Sequence, residues 1–263
     1  MDNIILQKEN QTATITLNRP QILNALDQKT FDELKTAVED VRADGSVRVL
    51  VIKGAGRAFS SGIDLTSLAK PDAKGGGTFK DARERIRGLQ ETLNSIENME
   101  KPSIAAMHGF ALGAALELAL ACDIRIAAEG TKMGLLEVKY GLVPDLGGSF
   151  RLPRLVGAGR AKELILTGDT IDAKEAERIG LVNKVVPAEK LGEETKASAD
   201  RLLKVAPVAV GLAKTVLNKA LGSDLKTAQE AEIYAQSLCM QTRDFIEAVG
   251  AYMQKREPNF KGK

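Results

Sequence analysis

Glu117 is the only charged residue in Gly113-Ala-Ala-Leu-Glu-Leu-Ala-Leu-Ala-Cys122, a run that is otherwise small and apolar. Burying an ionised carboxylate among alanines and leucines is costly unless it has a partner or a task. Glu137 repeats the anomaly between Leu136 and Val138. Asp145 comes next, in Gly141-Leu-Val-Pro-Asp-Leu-Gly-Gly148, a loop that enters another helix. Acids in apolar surroundings are candidates for proton transfer, because burial moves their proton affinity toward neutral pH. Each also has a plainer reading at this level. Glu117 can face solvent or pair with an arginine, and Asp145 can cap the helix it precedes.

The start of the Gly113–Cys122 helix adds an electrostatic element. The first N–H groups of a helix have no internal partner and form a positive end. Small residues at 113–115 let a ligand oxygen come close, and Glu117, three residues after Ala114, shares its face. One helix start therefore offers an oxyanion donor beside a carboxylate. The turn Phe59-Ser-Ser-Gly-Ile-Asp64 can bring a second backbone N–H, from Ile63. Gly62 supplies conformational freedom there, and Asp64 can cap the segment after the turn. The same turn also reads as an ordinary loop.

These residues must be held by a larger frame. Thr12–Leu17 alternates strictly and predicts a half-buried strand. Asp27 caps a helix with Phe31, Leu34, Val38 and Val41 on one face, and Gly45 suits its exit. Val49–Ile52 is a continuous apolar run, expected as a strand buried on both faces. A second amphipathic helix carries Ile86, Leu89, Leu93 and Ile96, followed after Pro102 by a strand at Ser103–Met107. The Gly113–Cys122 helix is followed by strands at Asp123–Ala127, Thr131–Met133 and Val182–Val186. Strands alternating with helices predict an α/β fold. Lys74–Thr78 reads as a mobile surface loop. After about Lys190 the chain is helical only, broken at Pro207 and near Gly222 and ending at Pro258, a tail suited to packing on a partner subunit or folding back on the core.

Composition narrows the function classes. The 37 basic and 35 acidic residues give a net charge of +2, which steers the chain toward neither nucleic acid nor an anionic membrane. The basic stripe Lys204, Lys214 and Lys219 lacks interleaved aromatics and reads as a solvated face. No uncharged apolar run is long enough to span a membrane, and the charged start shows no signal peptide. Cys122 and Cys239 are the only cysteines. They form no metal-ligand pattern and read as reduced, buried thiols of a cytoplasmic protein. Gly109-x-x-x-Gly113 lacks the spacing of a dinucleotide loop.

Several spaced motifs resemble one family. Ala58-Phe-Ser-Ser-Gly-Ile-Asp-Leu65 resembles the crotonase pattern A-F-x-A-G-x-D-L. His108-Gly-Phe-Ala-Leu-Gly113 through Glu117 to Cys122-Asp-Ile124 is similar to its central signature. Glu137 with Gly141–Gly148, then Leu166-Thr-Gly168, Ala173–Gly180 and Leu181-Val-Asn183, resemble its later blocks. The likeness runs from about Asn18-Arg-Pro20 to Lys255–Pro258, in order. It identifies the chain as a member of the crotonase (enoyl-CoA hydratase/isomerase) superfamily, which supports many chemistries.

The resemblance implies a spiral of ββα units over residues 1–190, holding an acyl-CoA site, and a helical trimerisation region over 191–263, giving a homotrimer or a hexamer of paired trimers. It implies a thioester carbonyl held between the N–H groups of Ile63 and Ala114. Two glutamates would hold the added water, at positions matching Glu117 and Glu137. Substrate contacts would come from Asn24, Ala25 and Leu26 near the adenine end, from Ala58, Ser60, Gly62, Ile63, Asp64 and Leu65, and from Gly113, Ala114 and Pro144. The walls of the acyl pocket are expected around Leu68–Arg87. The implied activity is syn hydration of a trans-2-enoyl-CoA to a 3-hydroxyacyl-CoA with no metal or cofactor, coenzyme A being part of the substrate. Asp145 stands where many hydratases have Gly and resembles double-bond isomerases, including dienoyl-CoA isomerases, which keeps isomerisation through Glu137 and Asp145 as the alternative. Dehalogenase-type relatives use Asp there as a nucleophile, but the single histidine, His108, is not placed as a separate base. The non-enzymatic alternative is an oligomeric CoA- or RNA-binding protein.

Overall fold

The computed structural model describes residues 1–68 and 79–263, so the surface loop expected at Lys74–Thr78 lies outside the described residues. Nine strands are described: β1 (Ile4–Glu9), β2 (Thr12–Leu17), β3 (Val49–Gly54), β4 (Ser103–Met107), β5 (Phe110–Leu112), β6 (Ile124–Ala128), β7 (Lys132–Gly134), β8 (Ile171–Asp172) and β9 (Lys184–Val186). The helices of the first part are α1 (Gln28–Ala43), α2 (Leu65–Leu68), α3 (Phe79–Glu97), α4 (Ala114–Leu120), α5 (Gly148–Val156), α6 (Ala158–Thr167) and α7 (Ala173–Arg178). The tail adds α8 (Leu191–Leu203), α9 (Pro207–Ala220), α10 (Leu225–Cys239) and α11 (Arg243–Gln254).

The strands form a six-stranded sheet in the order β1-β2-β3-β4-β6-β9 and a three-stranded sheet in the order β5-β7-β8. The large sheet is parallel apart from the β1–β2 pair. Successive units send one strand to each sheet and then turn into a helix. β4 lies in the large sheet, β5 in the small one, and α4 comes next. β6 and β7 divide in the same way before α5. The first unit has β3 in the large sheet and only an isolated bridge, Ser60 to Ala111, beside the small one before α2. The chain is thus a spiral of strand–strand–helix units.

The expected apolar faces make the core. Phe31, Leu34, Val38 and Val41 of α1 join Leu89, Leu93 and Ile96 of α3 and nearly all of α4 in one buried cluster against Ile15, Leu50 and Ile52. Asp27 caps α1 through its side chain, which accepts the Thr30 N–H. Val49 and Val51 face the other way, where Ile104, Ile126 and Val186 meet Ala199 of α8. β3 is therefore covered on both faces, as its unbroken apolar run predicts.

Beyond α8 the tail is held by few buried contacts. Lys214 of α9 is buried, and its Nζ donates to Ile96 O, Lys101 O and Asp123 Oδ2 at 2.8–3.2 Å. The expected stripe of three solvated lysines is thereby corrected: Lys214 is an internal pin, because the Asp123 carboxylate and two carbonyls replace its hydration. The last helix ends at Gln254, four residues before the stop expected at Pro258, with Lys255 left-handed. Cys239 is half-exposed; only Cys122 is buried. No described helix is long and apolar enough to cross a membrane.

Candidate active site

Three unit turns meet side by side, each just after a strand or bridge beside the small sheet. The first contains Ile63, the second Ala114, the third Glu137. Ser60 N donates to Phe110 O at 2.9 Å, which sets the first turn against β5. Gly62 has φ +92°, and a Cβ there would collide with the Leu112 carbonyl and stand 3.6 Å from Ala114 N. Only glycine lets the Ile63 turn lie this close to the start of α4. Among the described residues, neither the Ile63 N–H nor the Ala114 N–H donates to a protein acceptor. Two backbone donors are thus left free at one spot.

Glu117 lies one turn inside α4 and is 1% exposed. It neither faces solvent nor pairs with an arginine. Its Oε1 accepts the Leu146 N–H at 2.9 Å and the Gly148 N–H at 2.7 Å. Its Oε2 is buried and has no partner. Burial pushes its carboxyl up to about 8, the Gly148 and Leu146 N–H groups pull the other way, and the charges of Glu137 and Asp145 add to the rise.

Glu137 opens a short 3-10 turn, Glu137–Tyr140, directly after Leu136. A Cβ at Gly113 would stand 3.2 Å from its Oε1, so this carboxyl lies against the start of α4. Its Oε2 is also buried without a partner. Burial raises its proton affinity, and Asp145 raises it further. Asp145 itself is raised by burial and eased by the Arg85 cation. Its main-chain carbonyl accepts Gln90 Nε2 at 2.6 Å, which fastens the loop to α3. It does not cap α5, whose N-cap is Gly147 without a side-chain bond.

A cleft of about 850 Å³ joins these groups. Ala25, Gly62, Ile63, Asp64, Leu65, Gly113 and Ala114 line it with Glu117, Glu137 and Asp145. Asn24, Leu26, Ala58, Ser60 and Pro144 are not among its lining residues, and four of them serve the frame. Asn24 is 1% exposed; its Nδ2 donates to Ala55 O and Ala58 O, both at 2.8 Å, and its Oδ1 accepts Arg19 N. Ser60 Oγ donates to Asn24 O and accepts Gly62 N. Leu26 N and O bond to Gly62 O and Asp64 N. These residues hold the Gly62–Asp64 turn. Asp64 does cap the segment after the turn, accepting from Thr66 N and Oγ1.

Sequence reasoning missed the Leu146 and Gly148 N–H donors, although the Gly147-Gly148 pair marks a close backbone approach. It also missed Tyr140, Leu142 and Val143, which line the cleft and are exposed at 46–68%. From the expected Leu68–Arg87 stretch, Ala82, Arg85 and Ile86 are on the cleft wall, joined by Leu89.

The arrangement can polarise a carbonyl through two N–H groups and move protons through two carboxyls with one free oxygen each. Among the described residues no group of three or more His, Cys, Asp or Glu is placed to hold a metal ion. The profile of the enoyl-CoA hydratase/isomerase family matches residues 7–263. A crotonyl-CoA hydratase of Syntrophomonas wolfei is 45% identical, over 98% of both chains. A short-chain-enoyl-CoA hydratase of Clostridium acetobutylicum is 39% identical, over 98% of this chain and 97% of its own. The crystal structure of an enoyl-CoA hydratase from Bacillus anthracis superposes with a TM-score of 0.93 at 37% identity, covering 99% of this chain and 100% of its own.

Proposed function

The chain belongs to the enoyl-CoA hydratase/isomerase family and is an enoyl-CoA hydratase; we propose that Glu117 and Glu137 add water syn across the 2,3 double bond of a short-chain trans-2-enoyl-CoA, giving the 3-hydroxyacyl-CoA. The observation that carries this reading is the pair of buried, unpartnered Oε2 atoms of Glu117 and Glu137 beside two unused backbone N–H groups. Short acyl chains are favoured because the 45% and 39% identical relatives are named for crotonyl-CoA and short-chain enoyl-CoA.

The thioester oxygen accepts from Ile63 N and Ala114 N, which stabilise the enolate as charge moves onto it. Loss of one such donor typically costs about 10²–10³ in rate. Water sits between the two free carboxyl oxygens. At neutral pH the pair keeps one proton, because burial and mutual repulsion oppose full ionisation. In its ionised form, which the two N–H bonds on Oε1 stabilise, Glu117 takes a proton from water as the oxygen attacks C3, and Glu137 gives its proton to C2. Passage of the new proton from Glu117 to Glu137 resets the pair. Both groups act from one side of the bound double bond, hence syn addition.

Asp145 in the same cleft favours a second activity, migration of the double bond through Glu137 and Asp145. Crotonyl-CoA and a 3-enoyl-CoA, each followed for water addition and for double-bond migration, separate the two. Hydration of crotonyl-CoA as the faster reaction supports the proposal, and migration without hydration overturns it. As proposed, no step uses a metal or redox group, so activity survives EDTA. Residues 191–263 are proposed to build a homotrimer, or a hexamer of two, since α10 buries none of its residues within the subunit. Two unpaired cysteines support a cytoplasmic location.

A further inference from the structure

The two N–H groups that hold Glu117 come from the loop Leu146–Gly148, so whatever fixes that loop fixes the carboxylate. Arg151, on the first turn of α5, is 5% exposed and lies behind it. Its Nη1 donates to Leu146 O at 2.8 Å, the carbonyl of the residue whose N–H meets Glu117 at 2.9 Å. Its Nη2 donates to Asn94 Oδ1 at 2.6 Å and to Glu97 Oε2 at 2.7 Å, and its Nε reaches the same Glu97 oxygen at 3.0 Å. The guanidinium thus spans from α3 to the loop. Gly147 has φ +105°, and a side chain there would collide with Arg151 Nη1, so the loop is moulded on this cation. Nothing in the proposed chemistry uses Arg151, and it is not among the residues lining the cleft.

We infer that Arg151 is a positioning residue for hydration: by tying the Leu146 carbonyl to Asn94 and Glu97 it holds the Leu146 and Gly148 N–H groups on Oε1 of Glu117, and so aims the free Oε2 at the water. The inference rests on the assignment of Glu117 as the base. A planar, forked cation is needed, because one group must meet acceptors on two elements at once. Lysine keeps the charge and the bond to Glu97 but cannot span both.

The test is a double-mutant cycle with crotonyl-CoA as substrate. Arg151→Lys lowers kcat about 10–100-fold through misplacement of the base, while KM and the affinity for butyryl-CoA stay within about threefold. Combined with Glu117→Gln, Arg151→Lys gives no further loss beyond about threefold, because its effect passes through that carboxylate. A purely structural arginine would make the two losses multiply, and multiplied losses overturn the inference while leaving the base assignment intact. A folded Arg151→Lys with wild-type kcat also overturns it. Full activity of Glu117→Gln overturns the base assignment and this inference together. Should Arg151→Lys not fold by circular dichroism, Asn94→Leu removes one anchor of the guanidinium. It then lowers kcat about 3–10-fold at unchanged KM, and an unchanged kcat overturns the inference.

Discussion

Gly148 meets Glu117 twice: its N–H donates to Oε1 at 2.7 Å, and a Cβ on the same residue would stand 2.8 Å from that oxygen. The backbone of one loop is thus both donor to the carboxylate and wall behind it. Glu117 can be buried in an apolar helix because Leu146 and Gly148 replace water on one oxygen and leave the other for a ligand.

Gly148→Ala tests the wall. The added methyl would press on Glu117 Oε1 at 2.8 Å and on Leu135 Cδ1 at 3.0 Å, so the carboxylate is displaced together with the leucine side chain. Steady-state kinetics with crotonyl-CoA should show kcat lowered about 10–100-fold with KM nearly unchanged.

Gly62→Ala tests the donor pair instead. A methyl against the Leu112 carbonyl, on a left-handed backbone, forces the Ile63 turn away from Ala114. The expected loss is about 10²–10³ in kcat/KM. Inhibition by butyryl-CoA should weaken as well, because the proposed mechanism places the thioester oxygen on the same two N–H groups in the ground state.

The acid pair sets the pH behaviour. Glu117 has to be ionised to act as the base, and burial raises its carboxyl to about 8, so kcat should climb as pH rises toward about 8. Stability tracks the same titration. The folded carboxyl binds its proton more tightly than the unfolded one, near 4.5, so stability is greatest below about 4.5 and declines as pH rises toward about 8. Glu117→Gln removes this penalty. Urea unfolding should show it more stable than the parent at about pH 9, by on the order of a few kcal/mol, and equal to it near pH 4.

The tail leaves apolar side chains in the open. On α11, Ile246 is 69%, Tyr252 86% and Met253 77% exposed. Ile246 and Met253, seven residues apart, share a stripe. If the proposed role of residues 191–263 holds, sedimentation at micromolar concentration should show the parent as a trimer or hexamer, and Ile246→Asp with Met253→Asp should shift it to smaller species. A parent that sediments as a monomer contradicts the proposed role of residues 191–263.

Much of the frame is legible in the sequence because periodicity reports burial directly: the α1, α3 and β3 patterns reappear as the two faces of the core. β1 escapes such reading. It is an edge strand buried mainly at Ile4, closed onto β2 by left-handed Asn10 and Gln11, so its charged outer face hides the alternation. In the site, the lone acids of apolar runs are legible because burial of charge is an anomaly. Asn24 and Ser60 enter the site only through the family resemblance. Their bonds to the carbonyls of Ala58 and Asn24 arise only when distant loops meet. The support of Glu117 by Arg151 is equally invisible, since residues 94, 97, 146 and 151 come together only in three dimensions.

The most direct test is hydration of crotonyl-CoA by Glu117→Gln and Glu137→Gln, with butyryl-CoA binding and circular dichroism measured on the same samples. Glutamine keeps the size and removes the proton transfer, so each variant should lose about 10² or more in kcat. Butyryl-CoA affinity should change little, because Ile63 N and Ala114 N remain. A folded Glu117→Gln that hydrates crotonyl-CoA at the parent rate would contradict the account.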